Sequence, residues 1–153
     1  MPATIRPAKP SDIPEILAIE QQAPAASHWS YQQYSKLLET GSILVAEDEG
    51  AICGFVCARV AADEWEIENI VVAGAFRRRG VASELLRRIL DKAGPRPGSA
   101  VFLEGRDSNL PARRFYEKHG FQQVGRRPRY YQKPEEDAIL YRHRLPPSKS
   151  GIQ

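Results

Sequence analysis

The sequence predicts an α/β chain in which a mixed, strongly twisted sheet of about seven strands is flanked by about four helices. Three patterns carry that expectation. Residues 65–72 end in the β-branched run Ile70, Val71 and Val72, which stops at Ala73-Gly74 as a strand entering a loop. Directly afterwards Val81, Leu85, Leu86, Ile89 and Leu90 recur at helical spacing with Glu84, Arg87, Arg88 and Asp91 between them, so one helix face is apolar and the other charged. The chain then repeats strand, loop and helix, which requires a parallel crossover with helices lying over the sheet.

In chain order, residues 4–6 read as a short first strand. Ser11 and Asp12 supply capping side chains, and Pro14 suits the first turn of a helix whose apolar side is Ile13, Ile16, Leu17 and Ile19. Residues 23–28 form a loop. Ser30 starts a second helix, with Gln33 as capping-box partner and a Trp29 to Tyr34 hydrophobic staple. Residues 42–47 and 52–60 read as a hairpin around Asp48-Glu49-Gly50. Ala61-Ala62-Asp63 then turns into the strand ending at Val72, which completes an antiparallel meander. On that strand Glu66 and Glu68 alternate with Trp65, Ile67 and Asn69 and so share a face. Beyond the central helix, Gly94-Pro95-Arg96-Pro97-Gly98 breaks the chain before a short apolar strand at 100–104. Asn109 caps the next helix, Pro111 fits its first turn and Gly120 ends it. Strands at 121–125 and 137–144 close the sheet around a loop bearing Arg129, Tyr130 and Tyr131. Residues 1–145 read as a single domain and 146–153 as a flexible tail.

Composition excludes several classes. The chain has 153 residues, 42% hydrophobic and 27% charged, the balance of a globular domain with a core. No run approaches the ~18 to 20 apolar residues needed to cross a bilayer, so no membrane association and a cytoplasmic location are expected. Cys53 and Cys57 lie roughly 13 Å apart at ~3.3 Å per strand residue, too far to bridge, and without nearby histidines they make no metal site. His28, His119 and His143 fall in separate segments and read as structural or surface groups. The net charge of +3 conceals a division: residues 1–76 hold 4 Lys/Arg against 11 Asp/Glu, a balance of −7, and residues 77–153 hold 18 against 8, a balance of +10. A basic half suits a polyphosphate ligand and an acidic half a cationic substrate.

Arg77, Arg78 and Arg79 sit where the central helix begins, an end that already carries partial positive charge and free N–H donors. An anion, most naturally a phosphate, would relieve that arrangement; arginines fanning into water is the plainer reading. Gly80 lets a ligand approach the backbone closely, and Ala82 keeps the next turn slim. The run Arg77-Arg78-Arg79-Gly80-Val81-Ala82 resembles the Q/R-x-x-G-x-G/A acyl-CoA loop of the GNAT acetyltransferases. The resemblance implies acetyl-CoA as cofactor, no metal, and backbone N–H groups of Arg78, Arg79, Gly80, Val81, Ala82 and Ser83 around the pyrophosphate. It also implies that Ile70, Val71 and Val72 pair with the pantetheine arm.

A second signature is Leu103-Glu104-Gly105-Arg106-Asp107-Ser108-Asn109 followed by Phe115-Tyr116-Glu117-Lys118-His119-Gly120-Phe121. It is similar to the RimI-type N-terminal acetyltransferases, which act on the amino-terminal alanine of a ribosomal protein. By that resemblance Glu104 and Tyr116 are the acid–base pair and Asn109 contacts CoA. Gly105 stands where an apolar residue is usual and would loosen the strand beside Glu104. The chemistry needs such a pair: an α-amine of pKa ~7.7 to 8.0 is mostly protonated at neutral pH and cannot attack until a base takes its proton. Read from residues alone, Glu104 is equally an ion-pair partner of Arg106 or another cation, and Tyr116 a half-buried ring beside Phe115.

The expected function is therefore acetyl transfer from acetyl-CoA to the α-amine of a protein N-terminus, by direct attack, with alanine of a ribosomal protein as the natural acceptor. Trp29, Glu68, Tyr130 and Tyr131 are the expected substrate-binding residues, and nucleic acid is not required. A GNAT enzyme acting on lysine side chains or a small amine is the enzymatic alternative. A module that senses acetyl-CoA or binds a partner is the non-enzymatic one.

Overall fold

The computed structural model describes residues 3–23, 26, 28–94 and 100–144; the expected tail at 146–153 and most of the breaker at 94–98 lie outside the described residues. One seven-stranded sheet runs in the order β1-β2-β3-β4-β5-β7-β6. Its strands are β1 Thr4–Pro7, β2 Gly41–Asp48, β3 Ala51–Ala61, β4 Glu64–Val72, β5 Ala100–Arg106, β6 Gln122–Tyr131 and β7 Glu136–Arg144. The helices are α1 Ile13–Gln21, α2 Tyr31–Thr40, α3 Val81–Ala93 and α4 Leu110–Lys118. Every neighbouring pair of strands is antiparallel except β4 and β5, which are joined through α3 and run parallel. No helix among the described residues is long and apolar enough to cross a membrane.

Both sheet faces are covered. On one, Val81, Leu85, Leu86 and Ile89 of α3 pack with Val56, Ile67, Leu103 and Tyr141, joined at the margin by Phe115 and Tyr116 of α4. Each fully buried leucine or isoleucine in that set contributes roughly 1.5–3 kcal/mol. Gly54 is what lets α3 sit so close, since a Cβ there would lie 3.0 Å from the Val71 carbonyl oxygen and 3.4 Å from Leu85 Cδ1. On the other face Ile13, Ile16 and Ile19 of α1 and Tyr34 and Leu37 of α2 pack on Val45, Phe55, Cys57 and Val71. Cys53 and Cys57 are buried free thiols, as their spacing predicts.

The second helix starts as its sequence indicates: Ser30 Oγ accepts from the Gln33 amide at 3.1 Å, the Ser30 amide donates to Gln33 Oε1 at 2.8 Å, and the Trp29 and Tyr34 rings are 5.4 Å apart. The first helix does not. Asp12 makes no cap to α1; its carboxylate accepts instead from Arg6 at 2.8 and 3.1 Å and from the Lys9 amide at 2.7 Å. A buried carboxylate gains more from a charged guanidinium than from a neutral amide, so the ion pair wins. The loop expected around Arg129, Tyr130 and Tyr131 is part of β6, which runs on to Tyr131 with irregular register from Arg127.

Strict alternation on β4 also fails. The register with β3 shifts after Cys57 pairs Asn69, so that Ala58 pairs Ile67 and Glu68 is the extra residue of a bulge. Ile67 consequently faces α3 while Asn69 and Val71 face α1 and α2. Glu66 and Glu68 remain neighbours, both within reach of Arg59. The parallel pairing of β4 with β5 ends at Ile67 opposite Leu103; β4 continues with β3 to Val72 and β5 continues with β7 to Arg106. The two strands fork.

Candidate active site

A cleft of about 830 Å³ opens at this fork. Its walls are β4 from Ile67 to Val72, β5 from Leu103 to Arg106, the start and inner face of α4, and the α1–α2 connection through Ala23, Ala26 and His28. Forked strands leave backbone polar groups without a strand partner, and an open cleft lets a ligand or water satisfy them.

Glu104 lies on β5 at the base of the fork, its side chain 15% exposed. Burial raises its proton affinity above that of an ordinary carboxylate; Arg127 opposes this, Glu66 adds to it, and Tyr130 opposes it. Arg127 Nε lies 3.1 Å from Oε2, an ion-pair approach not aligned as a hydrogen bond. Arg106, the partner that sequence proximity suggests, is engaged elsewhere: it donates to Glu136 at 3.0 Å and stacks on the Tyr131 ring at 4.4 Å. Gly105 does not loosen the strand, because β5 keeps unbroken register with β7 from Ala100 to Arg106. A Cβ on Gly105 would meet Tyr116 Cε2 at 3.6 Å, an ordinary contact.

Tyr116 reaches the cleft from α4, in a nest of rings formed by Phe115, Phe121 and Tyr141 at centroid distances of 5.9, 6.1 and 5.7 Å. Burial pushes its phenol up to about 12, so it is a proton-bearing donor at neutral pH. Asn109 caps α4, its Oδ1 accepting from the Ala112 amide at 3.3 Å, and lines the same cleft. Ile70, Val71, Val72 and Ala82 line it too.

The α3 start is divided between two concavities. Arg77 lines the cleft and donates to the Val72 carbonyl at 3.4 Å, whereas Arg79, Gly80 and Val81 line a second hollow of about 480 Å³ beside Ile5 and Arg88. Arg79 lies over the Phe76 ring at 5.4 Å. Gly80 is the residue before α3, at φ +79°, and nothing lies within 4 Å of where its Cβ would be. The turn thus offers bare backbone to the outside, followed by Val81, Ala82 and Ser83, whose N–H groups belong to the first helical turn. The Val81 side chain is buried in the core, so only its backbone is available there.

Of the expected substrate residues, Glu68 and Tyr131 line the cleft. Burial raises the proton affinity of Glu68, and its ion pair with Arg59 opposes that. Trp29 and Tyr130 are not in the lining. Trp29 spends its ring on the staple with Tyr34, and Tyr130 is 47% exposed beneath Arg127, 5.5 Å away. His28, read from sequence as structural or surface, takes the place beside the cleft, with Nδ1 3.6 Å from Glu20 Oε1. His119, by contrast, contacts the Phe115 carbonyl at 3.0 Å, and His143 packs on Phe121. Arg127 escapes the sequence reading because Glu104 lies 23 residues from it, and Glu20 because no local motif announces it.

Comparison with known proteins identifies the family and the fold. Residues 11–121 match the acetyltransferase (GNAT) family. Over 140 residues the chain is 31% identical to the ribosomal protein bS18-alanine N-acetyltransferase of Escherichia coli K12, covering 90% of this chain and 94% of that protein. The crystal structure of the ribosomal-protein-S18-alanine N-acetyltransferase from Escherichia coli superposes with a TM-score of 0.87 at 28% identity, covering 99% of both chains. Over 79 residues the chain is also 43% identical to an uncharacterized Mycobacterium leprae protein, of which it spans 21%.

Proposed function

The chain belongs to the GNAT acetyltransferase family and is a RimI-like N-acetyltransferase, and from that premise we propose that it acetylates the α-amine of a protein N-terminus beginning with a small residue, alanine of a ribosomal protein first among them. The observation that carries this reading is the fork of β4 and β5, where a half-buried carboxylate, Glu104, and a partly buried phenol, Tyr116, line one cleft.

Acetyl-CoA supplies an activated acyl group as a thioester. Its pyrophosphate fits the bare backbone at Gly80 and the N–H groups of Arg78, Arg79, Val81, Ala82 and Ser83, with Asn109 on the opposite wall. The pantetheine arm would take the strand-like place along Ile70, Val71 and Val72 that β5 vacates after Leu103. The acceptor enters from the side of His28, Glu68 and Tyr131. Glu104 takes a proton from the incoming ammonium, directly or through water, and the freed nitrogen attacks the thioester carbon. The C–N bond forms, the C–S bond breaks with its electron pair leaving on sulfur, and the nitrogen's second proton passes to that thiolate, giving the amide and free CoA. Tyr116 stabilises that sulfur as a hydrogen-bond donor. With its phenol near 12 against ~8.5 for an ordinary thiol, complete proton transfer from it would be uphill by roughly 5 kcal/mol. Glu66 and Glu68 share the single cation Arg59, and the negative charge left over draws in the ammonium, while Trp29 and Tyr130 support the entrance from behind His28 and Tyr131. A lysine amine, with pKa ~10.4, is harder to deprotonate at neutral pH.

The test compares peptides starting with alanine against N-terminally blocked peptides carrying an internal lysine, at equal concentration and neutral pH, with products read by mass spectrometry. Acetylation at the free alanine is expected. Faster acetylation of the blocked lysine peptides would replace the N-terminal reading with the side-chain one.

A further inference from the structure

Glu20 is 1% exposed, in the last turns of α1, at the edge of an apolar cluster. An ionised carboxylate is costly to bury and is retained only where donors converge on it. Here they arrive from separate segments. The Tyr34 hydroxyl on α2 donates to Glu20 Oε2 in a short hydrogen bond, and the Trp29 amide in the α1–α2 connection donates to the same oxygen at 3.0 Å. His28 Nδ1 stands 3.6 Å from Oε1. Tyr34 in turn accepts from Asn69 Nδ2 at 3.2 Å, and Asn69 is the first residue of β4 after the Glu68 bulge. Burial keeps the Tyr34 phenol protonated, so its proton points at the carboxylate and its lone pairs are left for Asn69.

Two ends of this chain of bonds meet the cleft. His28 and Asn69 both line it, one on the α1–α2 connection and one on bulged β4, next to Glu68 and Ile70. We propose that Glu20 is the positioning residue of the acceptor half of the cleft, holding the α1–α2 wall through Trp29 and His28, and the β4 wall through Tyr34 and Asn69, at a fixed separation. A purely apolar contact would fill the same space without fixing direction; one carboxylate oxygen accepting from both the Trp29 amide and the Tyr34 hydroxyl ties the two walls together. The assignment rests on the N-terminal acetylation reading, since the positioned surface is the one that receives the peptide. Its consequence is a division of labour: the network governs acceptor binding, whereas the α3 turn that takes the cofactor lies outside it.

Glu20→Gln presents an amide N–H₂ where one donor now points, and Tyr34→Phe deletes the link to Asn69 while leaving the Trp29 bond. In both variants the KM for an alanine-start peptide is expected to rise about tenfold with kcat less affected, and the KM for acetyl-CoA to stay within about twofold. Amide hydrogen exchange of the same variants should quicken together at Trp29 and at residues 69–71, with α3 unchanged. A fall in melting temperature with unaltered peptide KM, or equal losses in both KM values, would make Glu20 a fold-stabilising residue only and overturn the proposal. If Glu20→Gln fails to fold, Tyr34→Phe decides. Should the wild type acetylate no alanine-start peptide, the N-terminal reading fails on its own, and the network then stands or falls on whether exchange at the two walls is coupled.

Discussion

Glu104 shows how one residue's chemistry depends on partners the local sequence does not name. In the proposed role of base it must be ionised, so its raised proton affinity would set the acid limit of activity, and Arg127 at 3.1 Å would hold that limit down. Glu104→Gln should lower turnover by roughly 10²–10⁴-fold at neutral pH, the usual worth of a general base. The deficit should narrow as pH rises past ~8, where the α-amine loses its proton unaided. Arg127→Ala should move the acid limb of the pH–rate profile to higher pH, because removing the cation lets Glu104 protonate sooner. A profile of unchanged shape in both variants would assign Glu104 to positioning alone. The sequence singles out Glu104 and Tyr116 because a strand-end carboxylate and a helix phenol sit in a recognisable pattern, and both line the cleft. It conceals Arg127, 23 residues away on β6, and of the expected substrate residues Trp29, Glu68, Tyr130 and Tyr131 only Glu68 and Tyr131 line the cleft, where His28 joins them. Aromatic residue type signals burial or binding alike, and only the packing of Trp29 on Tyr34 separates the two.

At the scale of elements, periodicity and turn residues locate the seven strands and four α-helices of the described residues, though the cap expected at Asp12 is not made, while the features that build the cleft have no periodic signature. The Glu68 bulge is one residue too many opposite β3, and the fork depends on which strand β5 follows after Leu103. Neither can be read from alternation, which assumes constant register. The breadth of β6 was underestimated for a related reason: most of it is solvent-exposed, so it lacks the apolar alternation by which strands are recognised. The turn into α3 was legible, since glycine directly before an amphipathic helix has few explanations. Gly80 at φ +79° is in the left-handed region, where an L side chain costs about 1–2 kcal/mol. Gly80→Ala should lose about that much stability in the absence of ligand, and should weaken acetyl-CoA in addition, because the new methyl stands in open space outside the turn. Calorimetry showing lower stability with unchanged acetyl-CoA affinity would remove this turn from the cofactor site.

At the scale of the whole molecule, the charge division of the sequence is followed by the sheet but not by the helices. Strands β1 to β4 come from residues 1–76 and β5, β7 and β6 from residues 100–144, and the order β1-β2-β3-β4-β5-β7-β6 sets the two groups side by side with the cleft at their seam, while α3, from the basic half, lies over β2, β3 and β4. The −7 half contributes Glu66 and Glu68 on β4, where the acceptor is proposed to enter; the +10 half begins with Arg77, Arg78 and Arg79 at the turn into α3. A polyanion docking at that turn is drawn by the basic block, so its affinity should fall with ionic strength, the Debye length shrinking from ≈ 10 Å at 0.1 M to 3 Å at 1 M. The magnitude can be set in advance. A ligand that binds only the folded state at 100 times its Kd stabilises by about 2.7 kcal/mol, and for a chain of this size each kcal/mol moves the melting temperature by roughly 2–4 °C. Acetyl-CoA at that excess should therefore raise the melting temperature by about 5–10 °C in dilute buffer. At a fixed ligand concentration the rise should be smaller in 0.5 M salt. Glu104→Gln, which alters the acceptor's proton and leaves the phosphate turn intact, should keep the full shift. A chain whose melting temperature ignores millimolar acetyl-CoA at low salt would lack the cofactor site at the α3 turn. A shift insensitive to salt would place the binding energy in the pantetheine groove along Ile70, Val71 and Val72 rather than in the arginines.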